Sequence, residues 1–366
     1  MSVAMNRWGR WSGWAGQTLG AGVLVVMALL GAAGCSQHRI VAEPVYFPAS
    51  PNVAHAVHLR SFTSFDELVA PKVSWVDALR GGFASSYVET PAGLAYHDGK
   101  LYVCDTALNL VHEWDLVTGV ANELGGSGNL ALMQPVGVAV GGDGTVYVAD
   151  TQRAAVVVLG QGAAHLLSPP GGAAFKPVAV AIEGSTLFAA DIANHRIEMF
   201  SVPDGAHKGG FGGAGNEPGK LYFPMGVSGD GKGRLYVSDS FNGRVQGFDA
   251  ATQQPQISMG QPGDRYGDMG KPRHVAVGPD GVVFVADTEF RHVHLFDAKG
   301  TLLMLLGGPD IPLGGTPMPV GVAIAPTLPP NLTSLVPANF DAQYFLFVSN
   351  TVGTQRMSLY AIGLGR

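Results

Sequence analysis

The sequence predicts an all-β protein: a six-bladed β-propeller closed by an N-terminal clasp strand. Three observations carry this. First, an apolar strand ending in Asp is written at Leu101–Asp105, Val146–Asp150, Leu187–Asp191, Leu235–Asp239 and Val283–Asp287, and a sixth copy, Leu346–Asn350, ends in Asn. Second, each copy is preceded by a Pro that opens another apolar strand, at Pro91, Pro135, Pro177, Pro224, Pro272 and Pro319, at spacings of 44, 42, 47, 48 and 47 residues. Repeats of that length built from short alternating strands are the mark of propeller blades. Third, Asp98-Gly99, Asp143-Gly144, Asp230-Gly231 and Asp280-Gly281 join the two strands, and Asp-Gly is a strong hairpin signal because both turn residues favour positive φ.

The chain begins differently. Arg7 and Arg10 precede an apolar run, Leu19–Leu30, which is followed by Ala32-Ala33-Gly34-Cys35. About a dozen apolar residues before a small-residue cleavage point read as an export signal and are too few for a spanning helix, which takes roughly 20. With Cys at the boundary, the segment resembles a bacterial lipoprotein signal, with Ala32 where that family usually has Leu. The resemblance implies cleavage after residue 34, lipidation of Cys35 and, with Ser36 next, sorting to the outer membrane. Two or three acyl chains give stable anchoring. Residues 35–52, with Pro44, Pro48 and Pro51, read as a tether, and residues 53–366 as the propeller. Loss of Arg7 and Arg10 takes the net charge from −6 to −8. An acidic chain without basic runs is a poor binder of nucleic acid. Cys104 stands where other copies have Ala or Ser, the place of a small buried residue.

Within a repeat the reading is four strands. In the third, these are Val178–Ile182, Leu187–Ala190, Arg196–Ser201 and Lys208–Phe211. The stretches Asp191 to Ile197 and Asp239 to Val245, with Asn194, His195, Asn242 and Arg244, together with the loop from Phe211 to Pro224, resemble NHL repeats. The resemblance covers about residue 91 to the C-terminus, most specifically in blades 3, 4 and 5. Blade 6 ends in Met357–Ile362 with four residues beyond, so its fourth strand must come from elsewhere. His55–Ser64 has the right character, and an unpaired edge is what closure removes.

The ring of Asp105, Asp150, Asp191, Asp239, Asp287 and Asn350 invites a catalytic reading. A simpler one fits better: Asp entering a turn caps that turn's N–H groups, and Arg196 and Arg244, five residues on, can pair with it. Enzymes on this fold work in the central channel, lined by the first strands. Residues directly after the six prolines are Ala92, Val136, Val178, Met225, Arg273 and Val320. The NHL-type amidating lyase, which the chain resembles in fold, places metal-binding His at this position in three blades, and here none is His. Lactonase-type propellers use Glu, Asp and Asn on inner strands, and these strands offer none. No metal or other cofactor is therefore predicted. The polar exception is Arg273-His274, a candidate channel site. His292 and His294 share one strand face without a visible third ligand, and His38, His55 and His58 fall in the tether and clasp, where solvated surface is the expectation. A Pro-rich insertion from Pro326 to Gln343 offers Leu332, Leu335, Val336 and Phe340 as a partner-binding loop, or folds back over its own blade.

Function reads two ways. The main one is a lipid-anchored, non-enzymatic scaffold that binds a protein partner in the cell envelope. The alternative is a channel-site enzyme of lactonase or lyase type using a bound metal.

Overall fold

The computed structural model describes residues 44–49, 52–69, 86–160, 164–172, 174–309, 311, 314–354 and 356–365. Residues 1–34, Cys35 and the first part of the tether lie outside them.

Six antiparallel sheets form the described body. Blades 1 to 5 are four-stranded meanders: blade 3, for example, runs Pro177–Glu183, Thr186–Asp191, Arg196–Ser201 and His207–Gly212. The first strands are Pro91–His97, Pro135–Val140, Pro177–Glu183, Pro224–Gly229, Pro272–Val277 and Pro319–Ala325. Each contacts the next, and the sixth contacts the first, so the ring closes.

The two repeated residues of the sequence meet. In every blade the Pro that opens the first strand lies directly opposite the Asp or Asn that ends the second. A register shift follows each of these pairs. Beyond it the first strands close in on one another. A Cβ on Gly226 would stand 2.2 Å from the Arg273 carbonyl oxygen, and one on Gly321 2.3 Å from that of Ala92. Glycine there lets neighbouring inner strands approach backbone to backbone.

Blade 6 closes as the sequence predicts. Ala56–Phe62 pairs antiparallel with Met357–Gly365, after Pro319–Ala325 and Phe340–Asn350. Val57 and Phe62 are fully buried. A short helix, Phe65–Leu68, follows: Glu67 N–H donates to the Ser64 cap Oγ at 3.4 Å and Thr63 N–H, one residue before the cap, to Glu67 Oε2 at 2.6 Å, a variant of the capping box. One strand was not foreseen. Val45–Phe47, read as part of the tether, adds a fifth strand outside the clasp. His58, expected on solvated surface, is half-buried against Tyr360, with ring centroids 5.4 Å apart, and burial lowers its pKa to about 4.

Of the two readings of the blade 6 insertion, the structure shows the loop packed back on the body. Leu332 is buried on a short helix, Pro330–Thr333, and Phe340 opens the 11-residue second strand. Both join the core cluster that holds Phe65, Trp114 and Phe347, and Leu335 and Val336 pack against it. Tyr96 Oη donates to Thr327 O at 2.8 Å and Tyr46 Oη to Asn339 Oδ1 at 2.8 Å, pinning the loop from both sides. Leu332 and Phe340 are thus core residues, and Leu335 and Val336 are partly buried against the same cluster. Leu332→Ala should therefore cost about 2–5 kcal/mol of stability, read by urea denaturation. An unchanged midpoint would return the loop to the surface.

Candidate functional site

The six strand-end residues are fully buried, and the five Asp tie the incoming segment to their own turns. Asp150 accepts from Met133 N–H at 2.6 Å, Gln134 N–H at 3.0 Å and Arg153 N–H at 3.0 Å. Asp105 accepts from Glu89, Thr90, Ala107 and Leu108, and Asp287 from Gly270, Lys271, Glu289 and Phe290. Asp191 accepts from Lys176 and Ala193 N–H and from the Asn194 amide. Among the described residues, the Asn350 side chain accepts only from Met318 N–H, at 3.4 Å. Arg244 pairs with Asp239 at 2.9 Å, but Arg196 turns to Glu198 at 2.9 Å instead of Asp191. Burial raises the Asp239 carboxyl above its ordinary range against the pull of Asn242, Tyr222 and Arg244. At Asp105 burial also pushes upward, but His112 and three backbone N–H groups outweigh it, and the net shift is downward.

Beneath Asp105 lies a constellation the sequence did not suggest. Ser86 Oγ is 3.0 Å from His112 Nδ1, and His112 Nε2 is 3.5 Å from Asp105 Oδ2. Its three residue types are those of a nucleophilic triad. All three are buried, and the Trp114 indole donates to the same Ser86 oxygen at 2.8 Å. The serine is thereby committed to core contacts. A related contact, His294 Nε2 to Asp287 Oδ2, spans 3.7 Å in blade 5, and burial lowers the His294 pKa to about 4.

The central channel is a cavity of about 270 Å³ walled by all six first strands. Its lining is almost wholly aliphatic, and His274 is its one titratable group apart from Tyr96. His274 is 8% exposed. Its Nδ1 lies 3.1 Å from the Val322 carbonyl oxygen in the next blade. A carbonyl only accepts, so Nδ1 carries the proton and Nε2 presents a bare lone pair. That nitrogen has no partner and is closed to water. Burial lowers the His274 pKa to about 4, opposed by the Val322 contact, so the ring is neutral at physiological pH. The preceding residue, Arg273, is exposed on the strand, with no side-chain hydrogen bond or ion pair among the described residues. It stands at the start of the strand whose His274–Val277 line the cavity and is not itself among the lining residues. The fit of a metal can be tested on these residues. His274 offers one nitrogen donor, the rest of the lining offers no carboxylate or thiolate, and no group of three His, Cys, Asp or Glu suited to a metal occurs among the described residues. The channel does not fit one, and His292 with His294 gains no third ligand.

At the Pro-bearing end of blade 4, aromatic rings crowd together. Phe223 lies 4.6 Å from His195 and 4.5 Å from Phe241, and Tyr222 lies 5.8 Å from Phe241, centroid to centroid. Sequence reading passed over them because they come from separate loops. The available signal was Phe241, two residues past Asp239, where the other blades have Ala107, Gln152, Ala193, Glu289 and Val352.

Residues 132–159 match the family model described as NHL repeat. The chain is a six-bladed propeller carrying an NHL repeat. The match falls on the first three strands of blade 2, whereas the resemblance read from Asn194 and Asn242 was sharpest in blades 3 to 5. Among curated proteins, the probable peptidyl-alpha-hydroxyglycine alpha-amidating lyase pgal-1 of Caenorhabditis elegans is 37% identical over 89 residues, 23% of this chain and 25% of that one. The match thus spans about a quarter of the relative's length. Among solved structures, the propeller resembles XC5397 of Xanthomonas campestris, a gluconolactonase, with TM-score 0.55 at 15% identity over 87% of this chain and 94% of that one. It also resembles a catalytically inactive virginiamycin B lyase from Staphylococcus aureus with quinupristin, with TM-score 0.53 at 11% identity over 74% and 80%. At these identities the likeness establishes the fold.

Proposed function

We propose that this NHL propeller is a channel-site enzyme of lyase or lactonase type, with His274 as its proton acceptor and Arg273 as the cation that faces developing negative charge. The carrying observation is the His274 Nε2 lone pair, an unpartnered polar atom on a channel wall built mostly of aliphatic side chains. An orphaned buried nitrogen costs stability and asks for a reason. His274 stands where four of the other five blades have Gly and the fifth Ala, on the lining of the channel where enzymes of this fold act, with Arg273 next to it. The curated lyase, similar over 89 residues, supports the reading, and the burial of Leu332 and Phe340 in the core removes two of the four apolar side chains that the scaffold alternative would use.

The chemistry follows from the residues. The Val322 carbonyl holds the imidazole in the Nδ1–H form, which leaves Nε2 to take a proton from a substrate carbon or from an attacking water. Arg273, always charged and unpaired, stabilises the resulting oxyanion. Because Nε2 is dry in the free protein, substrate entry must part the channel wall to reach it. No metal enters this scheme. A panel of lactones and of esters that open by elimination, assayed after chelation, tests it. His274→Gln should lower kcat by roughly 10²–10⁴-fold, and equal turnover by the variant and the parent would overturn the assignment.

A second reading has its own support. A single titratable His without a partner acid in the channel also suits a non-enzymatic scaffold binding an envelope protein. Under either reading we place the protein on a membrane through lipidated Cys35, at the bacterial outer membrane. Its mark is acyl label lost in Cys35→Ala.

A further inference from the structure

We propose that the aromatic cluster of Tyr222, Phe223, Phe241 and His195 is a subsite that takes an aromatic ring of a ligand. It goes beyond the channel chemistry and does not depend on it.

Burial alone does not account for the cluster. Tyr222 and Phe241 are 42% and 52% exposed while touching each other and Phe223. Aromatic pairs usually bury such area, and here two ring surfaces are left open side by side. Blade 4 alone does this, since the turn place of Phe241 is held elsewhere by Ala107, Gln152, Ala193, Glu289 and Val352.

The arrangement is also held against a backbone preference. Phe223 has φ +56, a left-handed conformation that bulky L-residues avoid. The residues before the other five prolines, Thr90, Gln134, Lys176, Lys271 and Met318, are not in it. The conformation is fixed by a hydrogen bond from Phe223 N–H to His195 Nδ1 at 3.1 Å and by the ring contacts on both sides. Strain maintained by surrounding contacts concentrates at ligand sites. The same hydrogen bond makes Nδ1 the acceptor, so Nε2 of His195 carries the proton. The half-buried rim of the cluster thus offers an N–H donor beside the ring faces. Rings meeting at 43° to 60° present both a face and an edge, the two surfaces another aromatic ring pairs with. Location adds meaning. Phe223 directly precedes Pro224, the first residue of the blade 4 inner strand Pro224–Gly229, whose Val227, Ser228 and Gly229 line the channel.

The probe is p-cresol, a ring with one hydroxyl, followed by saturation-transfer NMR on the full chain, with cyclohexanol and tetramethylammonium as comparison probes. The expected result is transfer to p-cresol over both comparison probes, reduced at least several-fold in Phe241→Ala and Tyr222→Ala, whose exposed side chains can be removed without emptying the core. His274→Gln, by contrast, should bind p-cresol as the parent does, which separates failure of the catalytic reading from failure of this one. Equal transfer in parent and Phe241→Ala, or a preference for cyclohexanol or tetramethylammonium, would overturn the subsite.

Discussion

A chain lacking residues 53–66 is expected to lose cooperative folding altogether. The segment is not a tail. It supplies Val57, Phe62 and Phe65 to the core, and burying three such side chains contributes on the order of 5–9 kcal/mol. That is comparable to the whole stability of a typical domain, about 5–15 kcal/mol. Its removal also uncovers the edge of Met357–Gly365, with the buried Leu359 and Tyr360 behind it, and an open edge is a template for aggregation. Phe62→Ala alone, in contact with Trp114 at 6.2 Å between centroids, should cost about 3–5 kcal/mol. Thermal and urea melts give the answer. A deletion variant that melts like the parent would mean the ring is closed by other contacts.

The second large effect belongs to the buried carboxylates. Asp150→Ala leaves the N–H groups of Met133, Gln134 and Arg153 without their acceptor. At roughly 1–3 kcal/mol for each unmet buried donor, with partial relief where the turn reaches water, the loss should be about 2–4 kcal/mol. Asp150→Asn should fall between. Blade 6 already contains that state: Asn350 makes one long contact to Met318 N–H, and its Nδ2 has no partner. Urea midpoints that do not separate Asp150→Ala from the parent would contradict the pinning role and reopen the question of why this position recurs.

The architecture was legible because its determinants are local and repeated. The Pro and the Asp that recur in each blade turn out to be cross-strand partners, and Asp-Gly turns set the hairpin between them. What the sequence could not show depends on contacts between distant segments. Whether Leu332 faces solvent or core is decided by Phe65 and Trp114, which arrive from the other end of the chain. Val45–Phe47 is three residues between prolines, with no period of its own, and becomes a strand because the clasp offers an edge. Tyr222 and Phe223 meet His195 and Phe241 across loops of two blades. His274 was visible in sequence as a break in the repeat; its tautomer was not, because that is set by a carbonyl 48 residues away.

That tautomer is also the most direct point of attack. Nitrogen-15 NMR of His274, assigned with the His274→Gln variant, should show a protonated Nδ1 and a bare Nε2, with the ring neutral down to about pH 4. The sign of the linked stability follows. The folded pKa, about 4, lies below the unfolded value of 6.5, so the unfolded chain binds the proton first. The His274 contribution to stability is then flat above pH ~6.5 and falls as pH drops toward about 4. A protonated Nε2, or a ring that titrates near its ordinary value, would contradict the proposal that this nitrogen is held ready in the channel.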